Sequence, residues 1–260
     1  MSWAQEKEVW GKEIINGLYE TGMVKTLFSD KQNPGGYKLV SGLWSPIYIQ
    51  LRLLTSHPTL YKIVSEGMSK LVKEEAPDVN RIVGVAMAGI SLSDGITLYT
   101  GIPSCWTRKV DSKTLEDLEK ELAAYGQHAL IEGEIGSNEI IGIVDDLTTK
   151  FTSKIISTRL FEHEVKKRNE RGQKIENTNV KYAITLLDRE QGGAEEAKKN
   201  NMELISMIPF ASKGLGLLEN SMGKYEFEIL NDYFANATKY QDPSLQAELK
   251  ERALKARETA

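Results

Sequence analysis

The fold is decided by the stretch Ile140-Ile141-Gly142-Ile143-Val144-Asp145-Asp146-Leu147-Thr148-Thr149-Lys150-Phe151-Thr152-Ser153. Its apolar run predicts a buried strand, which Asp145 and Asp146 close at the carboxyl edge of a sheet, where ligands bind in open α/β folds. Hydroxyls and backbone N–H groups then precede a predicted helix over 153–165, an arrangement that suits a phosphate. The two carboxylates suit ribose hydroxyls or the Mg²⁺ that accompanies a diphosphate. The alternative is a strand end with solvated acids and a threonine-rich helix cap.

Short apolar runs alternate with helical patterns on both sides of this stretch. Strands are predicted at 82–86, 104–108, 140–144 and 181–187. Helical patterns such as 91–99 and 153–165 separate them. This alternation predicts an α/β protein with a mostly parallel sheet whose faces are covered by helices.

Composition excludes several classes of function. The 260 residues carry a formal net charge of −4, whereas wholesale nucleic-acid binding calls for a basic face. The single cysteine, Cys105, cannot form an intramolecular disulfide and fits a reducing compartment. No apolar stretch approaches the roughly 18 residues that span a bilayer, and the N-terminus does not resemble a signal peptide. We therefore expect a cytoplasmic protein that binds neither nucleic acid nor membrane.

Further motifs carry a resemblance to a known family. Residues 41–48 read SGLWSPIY, 84–90 read GVAMAGI, and 186–193 read LLDREQGG. With the pair Arg108-Lys109 and the pair Asp145-Asp146, they stand in the order found in orotate phosphoribosyltransferases. The chain resembles this family over residues 37–193, including the transferase domain of UMP synthases.

The resemblance implies a type I phosphoribosyltransferase-like fold, with a mostly parallel central sheet flanked by helices and a small N-terminal hood. The expected division is one domain over 1–235, with the hood over about 1–55 and the core over about 56–235, and a helical tail over 236–260. The implied reaction transfers ribose 5-phosphate from phosphoribosyl pyrophosphate (PRPP) to orotate in pyrimidine biosynthesis. Mg²⁺ is the implied cofactor, and a homodimer with shared active sites is the implied assembly.

The resemblance also assigns roles to residues. Asp145 and Asp146 are expected to grip the ribose hydroxyls and are possible metal ligands. Lys109 and Lys113 are expected to join these two acids in catalysis, and Arg189, with Thr149, is expected to contact orotate. The expected PRPP-binding set is Arg108, Lys109, Asp145, Asp146, Leu147, Thr148, Thr149, Lys150, Phe151, Thr152 and Ser153.

Some positions depart from the family pattern. Phe151 stands where the family has a glycine that lets the backbone approach the 5-phosphate closely, and its side chain threatens that approach. Val40 stands where a lysine is common before the Ser-Gly pair. These departures leave two alternatives open. One is a catalytically impaired or regulatory relative that binds nucleotide or PRPP, and the other is a transferase for another base.

The segment 114–124, TLEDLEKELAA, looks inserted relative to the family pattern. Leu115, Leu118 and Leu122 recur at helical spacing, which predicts an amphipathic helix. Because such a short helix is marginal on its own in water, we expect its leucine face to dock on the hood or on the other subunit as a lid. The alternative is a free, fraying segment.

Overall fold

The computed structural model describes residues 1–39, 42–111, 114–124 and 128–258. Two compact units emerge from its contacts. The first unit joins Met1–Lys7 to Tyr61–Pro209, and the second joins Glu8–Leu60 to Phe210–Ala260. The units divide the chain differently from the predicted hood, core and tail, because the residues after Pro209 make their contacts with the N-terminal segment.

The strands lie in both units. They are β1 (Val24–Thr26), β2 (Tyr37–Lys38), β3 (Trp44–Ser45), β4 (Ile47–Ile49), β5 (Arg81–Gly84), β6 (Ser104–Thr107), β7 (Ile131–Glu132), β8 (Ile140–Thr148), β9 (Asn179–Asp188) and β10 (Glu203–Pro209).

The helices fill most of the remaining chain. They are α1 (Trp3–Glu20), α2 (Pro58–Glu75), α3 (Ala88–Thr100), α4 (Leu115–Ala124), α5 (Thr152–Glu170), α6 (Gly193–Lys199), α7 (Leu215–Leu217), α8 (Lys224–Ala235) and α9 (Pro243–Glu258), with tighter or wider turns at Leu51–Ser56, Phe210–Gly214 and Lys239–Gln241. Within the described ranges, none of these helices is long and apolar enough to cross a membrane.

The sheet of the first unit has the strand order β10-β9-β8-β5-β6-β7. Its pairs are parallel, except that β7 runs antiparallel to β6. This confirms the predicted α/β class with a mostly parallel sheet. The predicted strands correspond to β5, β6, β8 and β9, whereas β7 and β10 were not predicted. Along the chain the sheet grows from β5 to β6 and then returns to β8 on the other side of β5, which places a topological switch point, the usual ligand crevice, between β5 and β8.

Strand β8 runs farther than predicted. The prediction ended the strand at Val144, but β8 continues to Thr148, so that Asp145 and Asp146 lie inside the strand. The reason is that β9 supplies parallel partners beyond the apolar run, with Asp145 opposite Thr185 and Thr148 opposite Asp188.

The first unit packs its helices closely onto this sheet. An apolar cluster joins Val83 and Ile143 of the sheet to Leu160 and Phe161 of α5. Helix α3 approaches β8 at Gly89, where an added Cβ would lie 2.2 Å from the Val144 carbonyl oxygen. Only glycine permits this approach, which brings the start of α3 to the carboxyl end of β8.

The second unit is built from short strand pairs and helices. β1 pairs antiparallel with β4, and β2 pairs antiparallel with β3. The Trp44 N–H donates to Gln241 Oε1 at 2.9 Å, and the Arg257 guanidinium donates to the Leu27 carbonyl at 2.6 Å. The strands around the SGLWSPIY segment are short, and residues 236–258 pack within this unit. Val40 lies outside the described residues.

Candidate active site

The acid pair, Asp145 and Asp146, lies near the carboxyl end of β8. Asp145 is buried and Asp146 is half-buried. The Asp146 N–H donates to Asp145 Oδ1 at 3.0 Å. Burial, and then the neighbouring negative charge of Asp145, raise the pKa of the Asp146 carboxyl above its ordinary value.

Asp145 is engaged by the start of α5. Lys154 Nζ lies 2.7 Å from Asp145 Oδ2, and the Ser153 hydroxyl donates to the same oxygen at 3.1 Å. Lys154 is only 1% exposed, and its ammonium also donates to the Leu147 carbonyl at 2.5 Å. Lys154 was missed in the sequence. The available signal was its spacing, because Lys154, Ser157 and Phe161 stand at i, i+3 and i+7 on the face of α5 that is buried.

The segment Leu147 to Ser153, here the phosphate loop, joins β8 to α5. Its Thr148 is fully buried, and Thr148 Oγ1 finds no hydrogen-bond partner among the described residues. Leu147 and Thr149 are half-buried, and the side chains of the exposed members face solvent: Lys150, Thr152 and Ser153. Because the first N–H groups of a helix lack intrahelical partners, the start of α5 offers donors to an anion.

Phe151 does not obstruct this loop. Its backbone takes the left-handed conformation with φ 69° directly before α5, which is the conformation that glycine favours. Its ring is 2% exposed and belongs to the apolar cluster of the first unit. The backbone thus follows a glycine-like path while the side chain points into the core. The predicted threat to close phosphate approach does not arise from the ring.

The turn that follows β9 lies against the end of β8. The Arg189 N–H donates to the Thr148 carbonyl at 2.9 Å, and the Arg189 side chain is buried. Gly192 has φ 95°, and an added Cβ on Gly193 would lie 2.6 Å from Thr148 Cγ2. In the LLDREQGG motif, Gly193 is therefore needed because the start of α6 packs directly on the phosphate loop, and Gly192 because its backbone is left-handed.

Two of the predicted cationic residues, Arg108 and Lys109, lie at the end of β6. Arg108 and Lys109 follow β6 and are exposed, and Arg108 Nε lies 3.6 Å from Glu132 Oε1. Both stand at the same edge of the sheet as the acid pair, because β5, β6, β8 and β9 are parallel. Lys113 lies outside the described residues.

The segment GVAMAGI connects β5 to α3 at the switch point. The Ala86 N–H donates to Thr107 Oγ1 at 3.0 Å, which ties this connection to the end of β6. The Val85 N–H donates to the Val144 carbonyl at 2.8 Å, which ties it to β8. This connection therefore lies beside the acid pair.

The inserted helix is present but docks elsewhere than predicted. Leu118 of α4 is 1% exposed and belongs to the apolar cluster of the first unit, and Leu122 packs against that cluster. Leu118 and Leu122 are thus covered by the unit that contains the sheet, so the prediction that the leucine face docks on the hood or on another subunit is wrong for these two residues. The Thr114 hydroxyl accepts the Asp117 N–H at 3.1 Å and caps the helix.

Metal ligation was predicted as possible for the acid pair. Across the ranges that the structure describes, no three His, Cys, Asp or Glu side chains lie close enough together to hold a metal ion. Asp146 is the less buried residue of the pair. This donor set fits a cation that is held mainly by a ligand's own oxygens.

Structural similarity defines the class. The chain matches the UMP synthase of Leishmania donovani with a TM-score of 0.66 and 19% identity, covering 86% of this chain and 42% of that one. It matches the orotate phosphoribosyltransferase of Aeropyrum pernix with a TM-score of 0.59 and 20% identity, covering 80% of this chain and 97% of that one. The fold is that of the phosphoribosyltransferases.

Sequence similarity then defines the family within this class. The chain is 30% identical over 198 residues to an orotate phosphoribosyltransferase of Staphylothermus marinus, covering 76% of this chain and 80% of the relative. No protein-family model matches the chain. The chain belongs to the orotate phosphoribosyltransferase family, which confirms the resemblance that the motifs predicted.

Proposed function

We propose that the protein is an orotate phosphoribosyltransferase. It transfers the 5-phosphoribosyl group of PRPP to orotate, giving orotidine 5′-monophosphate and pyrophosphate in the biosynthesis of UMP. One observation carries the proposal beyond family membership. The hydrogen bond from the Arg189 N–H to the Thr148 carbonyl fixes the base-recognition motif against the strand that carries the acid pair.

The roles follow from the position of each group. The acid pair meets the ribose hydroxyls, with Asp146 the less buried residue of the two. The 5-phosphate binds at the start of α5, where backbone N–H groups and the hydroxyls of Thr149 and Thr152 are available, while the Ser153 hydroxyl donates to Asp145. The planar Arg189 guanidinium suits the carboxylate and carbonyl edge of orotate. No protein nucleophile is needed, because positioning and charge stabilisation support departure of the diphosphate.

Cations complete the site in this proposal. Arg108 and Lys109 bind the diphosphate, and both are exposed. Mg²⁺ bound to the diphosphate would neutralise its charge, and Asp146 would supply an additional oxygen ligand. A homodimer with shared active sites would bring these cations, and Lys113, to the partner's site. The proposed location is the cytoplasm, in keeping with the single buried cysteine.

The test is whether the purified protein forms orotidine 5′-monophosphate from orotate and PRPP in the presence of Mg²⁺. The reaction is measured by the loss of orotate absorbance. Arg189→Lys removes the guanidinium fork and should raise KM for orotate by about tenfold or more. Arg159→Lys is the matched control, since Arg159 forms an exposed ion pair with Glu162 on α5. Folded wild-type protein that makes no product would refute the proposal.

The alternatives are separated by ligand binding. With Phe151 directed into the core, one of the two departures that motivated a catalytically impaired relative loses its force, and the other, Val40, lies outside the described residues. Specific ligands stabilise the folded state by mass action. Thermal stabilisation by PRPP without use of orotate would indicate transfer to another base, and stabilisation by neither PRPP nor orotate would favour a regulatory relative.

A further inference from the structure

Asp145 and Lys154 form a buried pair at the centre of the proposed PRPP site. The Asp145 carboxylate accepts from Lys154 Nζ at 2.7 Å and from the Ser153 hydroxyl at 3.1 Å through Oδ2. It accepts from the Asp146 N–H at 3.0 Å through Oδ1. Both oxygens of Asp145 are therefore already engaged by groups of the protein.

Lys154 is equally committed. Its side chain is 1% exposed, and its ammonium donates to the Leu147 carbonyl at 2.5 Å as well as to Asp145. A buried ammonium requires an opposite charge and hydrogen-bond acceptors, and removing one member of such a pair leaves an uncompensated buried charge. Any ligand that recruited the Asp145 carboxylate would have to compete with Lys154.

The pair also closes the phosphate loop. Asp145 and Leu147 belong to β8, whereas Lys154 belongs to the first turn of α5, so one ammonium joins the two ends of the loop. Phe151 fixes the middle of the same loop through its buried ring. A loop held at both points is pre-organised, so little conformational freedom remains to be lost when a phosphate binds.

The geometry points to a division of labour in the acid pair. Lys154 is a positioning residue that holds Asp145 as its counter-ion and fixes the Leu147 carbonyl, and Asp146 is the carboxylate that meets the ribose hydroxyls of PRPP. This inference rests on the proposed function, because it assigns roles within that same site. It assigns the two acids different tasks, whereas the sequence predicted the same task for both.

The first test compares Asp145→Asn with Asp146→Asn by calorimetric titration with PRPP and Mg²⁺ and by KM and kcat. Asp146→Asn should raise Kd for PRPP by about 30-fold, because charge-assisted hydrogen bonds to the ribose are lost. Asp145→Asn should raise it by less than about fivefold, because the Asn oxygen still accepts from Lys154, while the melting temperature falls. Equal losses of PRPP affinity in the two variants would overturn the inference.

The second test asks whether Lys154 acts through Asp145. Lys154→Met leaves a buried carboxylate unpaired and should lower kcat/KM for PRPP by about 100-fold, and Asp145→Asn combined with Lys154→Met should recover about tenfold of that loss. A double variant no better than Lys154→Met would contradict the pairing. Should Lys154→Met fail to fold, recovery of a folded double variant would support it, and the Asn series alone would decide the roles of the acids.

The same measurements separate this inference from the proposed function. Wild-type protein that binds PRPP but makes no orotidine 5′-monophosphate would refute the proposed reaction. The Kd values of the two Asn variants for PRPP would still show which acid contributes more to binding. Wild-type protein that binds no PRPP would refute both the reaction and the assignment of Asp146.

Discussion

Two helices begin at the carboxyl edge of the sheet with a left-handed residue, yet the two residues are opposites in size. Phe151 precedes α5 with φ 69°, and Gly192 precedes α6 with φ 95°. A side chain in this conformation costs roughly 1–2 kcal/mol. At Phe151 that cost is offset by burial of the ring, whereas Gly192 avoids it. The same backbone turn can therefore be specified by core packing or by the absence of a side chain.

The largest expected effect lies at Phe151. Phe151→Ala should destabilise the protein by about 3–5 kcal/mol, because it leaves a cavity in the apolar cluster. Phe151→Gly should be less destabilising than Phe151→Ala by about 1 kcal/mol, because glycine relieves the left-handed strain. Urea unfolding of both variants measures the difference.

Phe161 provides the matched control for that pair. It is 1% exposed within α5, where the backbone is helical. There alanine should be more stable than glycine by about 1 kcal/mol, the reverse order. If the alanine variant were more stable than the glycine variant at both positions, Phe151 would not be held in the left-handed conformation. The comparison of Phe151 with Gly192 would then be wrong.

The next effect lies at Gly193, where the start of α6 meets the phosphate loop. Gly193→Ala places a Cβ 2.6 Å from Thr148 Cγ2 and 3.2 Å from the Thr149 carbonyl oxygen, and it should cost about 1–3 kcal/mol. Gly216→Ala is the control, because an added Cβ there meets nothing within 4 Å. A Gly193→Ala protein as stable as the control in urea would contradict the close packing of α6 on the phosphate loop.

The smallest expected effect measures the cost of the left-handed backbone at Gly192 alone. Gly192→Ala has open space around the new Cβ, so only its φ of 95° opposes the change, at about 1 kcal/mol. Gly172→Ala, with φ 91° and equally open space, should show the same loss of unfolding free energy. A clearly larger loss at Gly192 would reveal a contact of the turn that its backbone angle does not explain.

These positions show what the sequence could and could not predict. Short apolar runs predicted β5, β6, β8 and β9, because strands buried on both faces carry near-continuous apolar residues. The two-residue β7 has no such pattern. The extension of β8 to Thr148 depends on partners in β9, which a local pattern does not contain.

The candidate site, like the fold, could be predicted from the sequence only in part. The motifs predicted that the acid pair lies at the carboxyl edge of the sheet, where ligands bind in open α/β folds. They did not predict that Lys154 points inward, because that depends on Asp145 and the Leu147 carbonyl being within reach in three dimensions. Likewise, the leucines of α4 predicted that the helix needs a partner, but their spacing does not identify the surface that covers Leu118.

The shortness of β7 has a consequence for behaviour at high concentration. The sheet terminates on this side at only Ile131 and Glu132, and the chain turns away through Gly133 to the exposed Glu134. An open sheet edge can template strands from other molecules, and short, charged edges suppress this. This side of the sheet is therefore poorly suited to seeding intermolecular β-sheet aggregation, even though the strands behind it are strongly apolar.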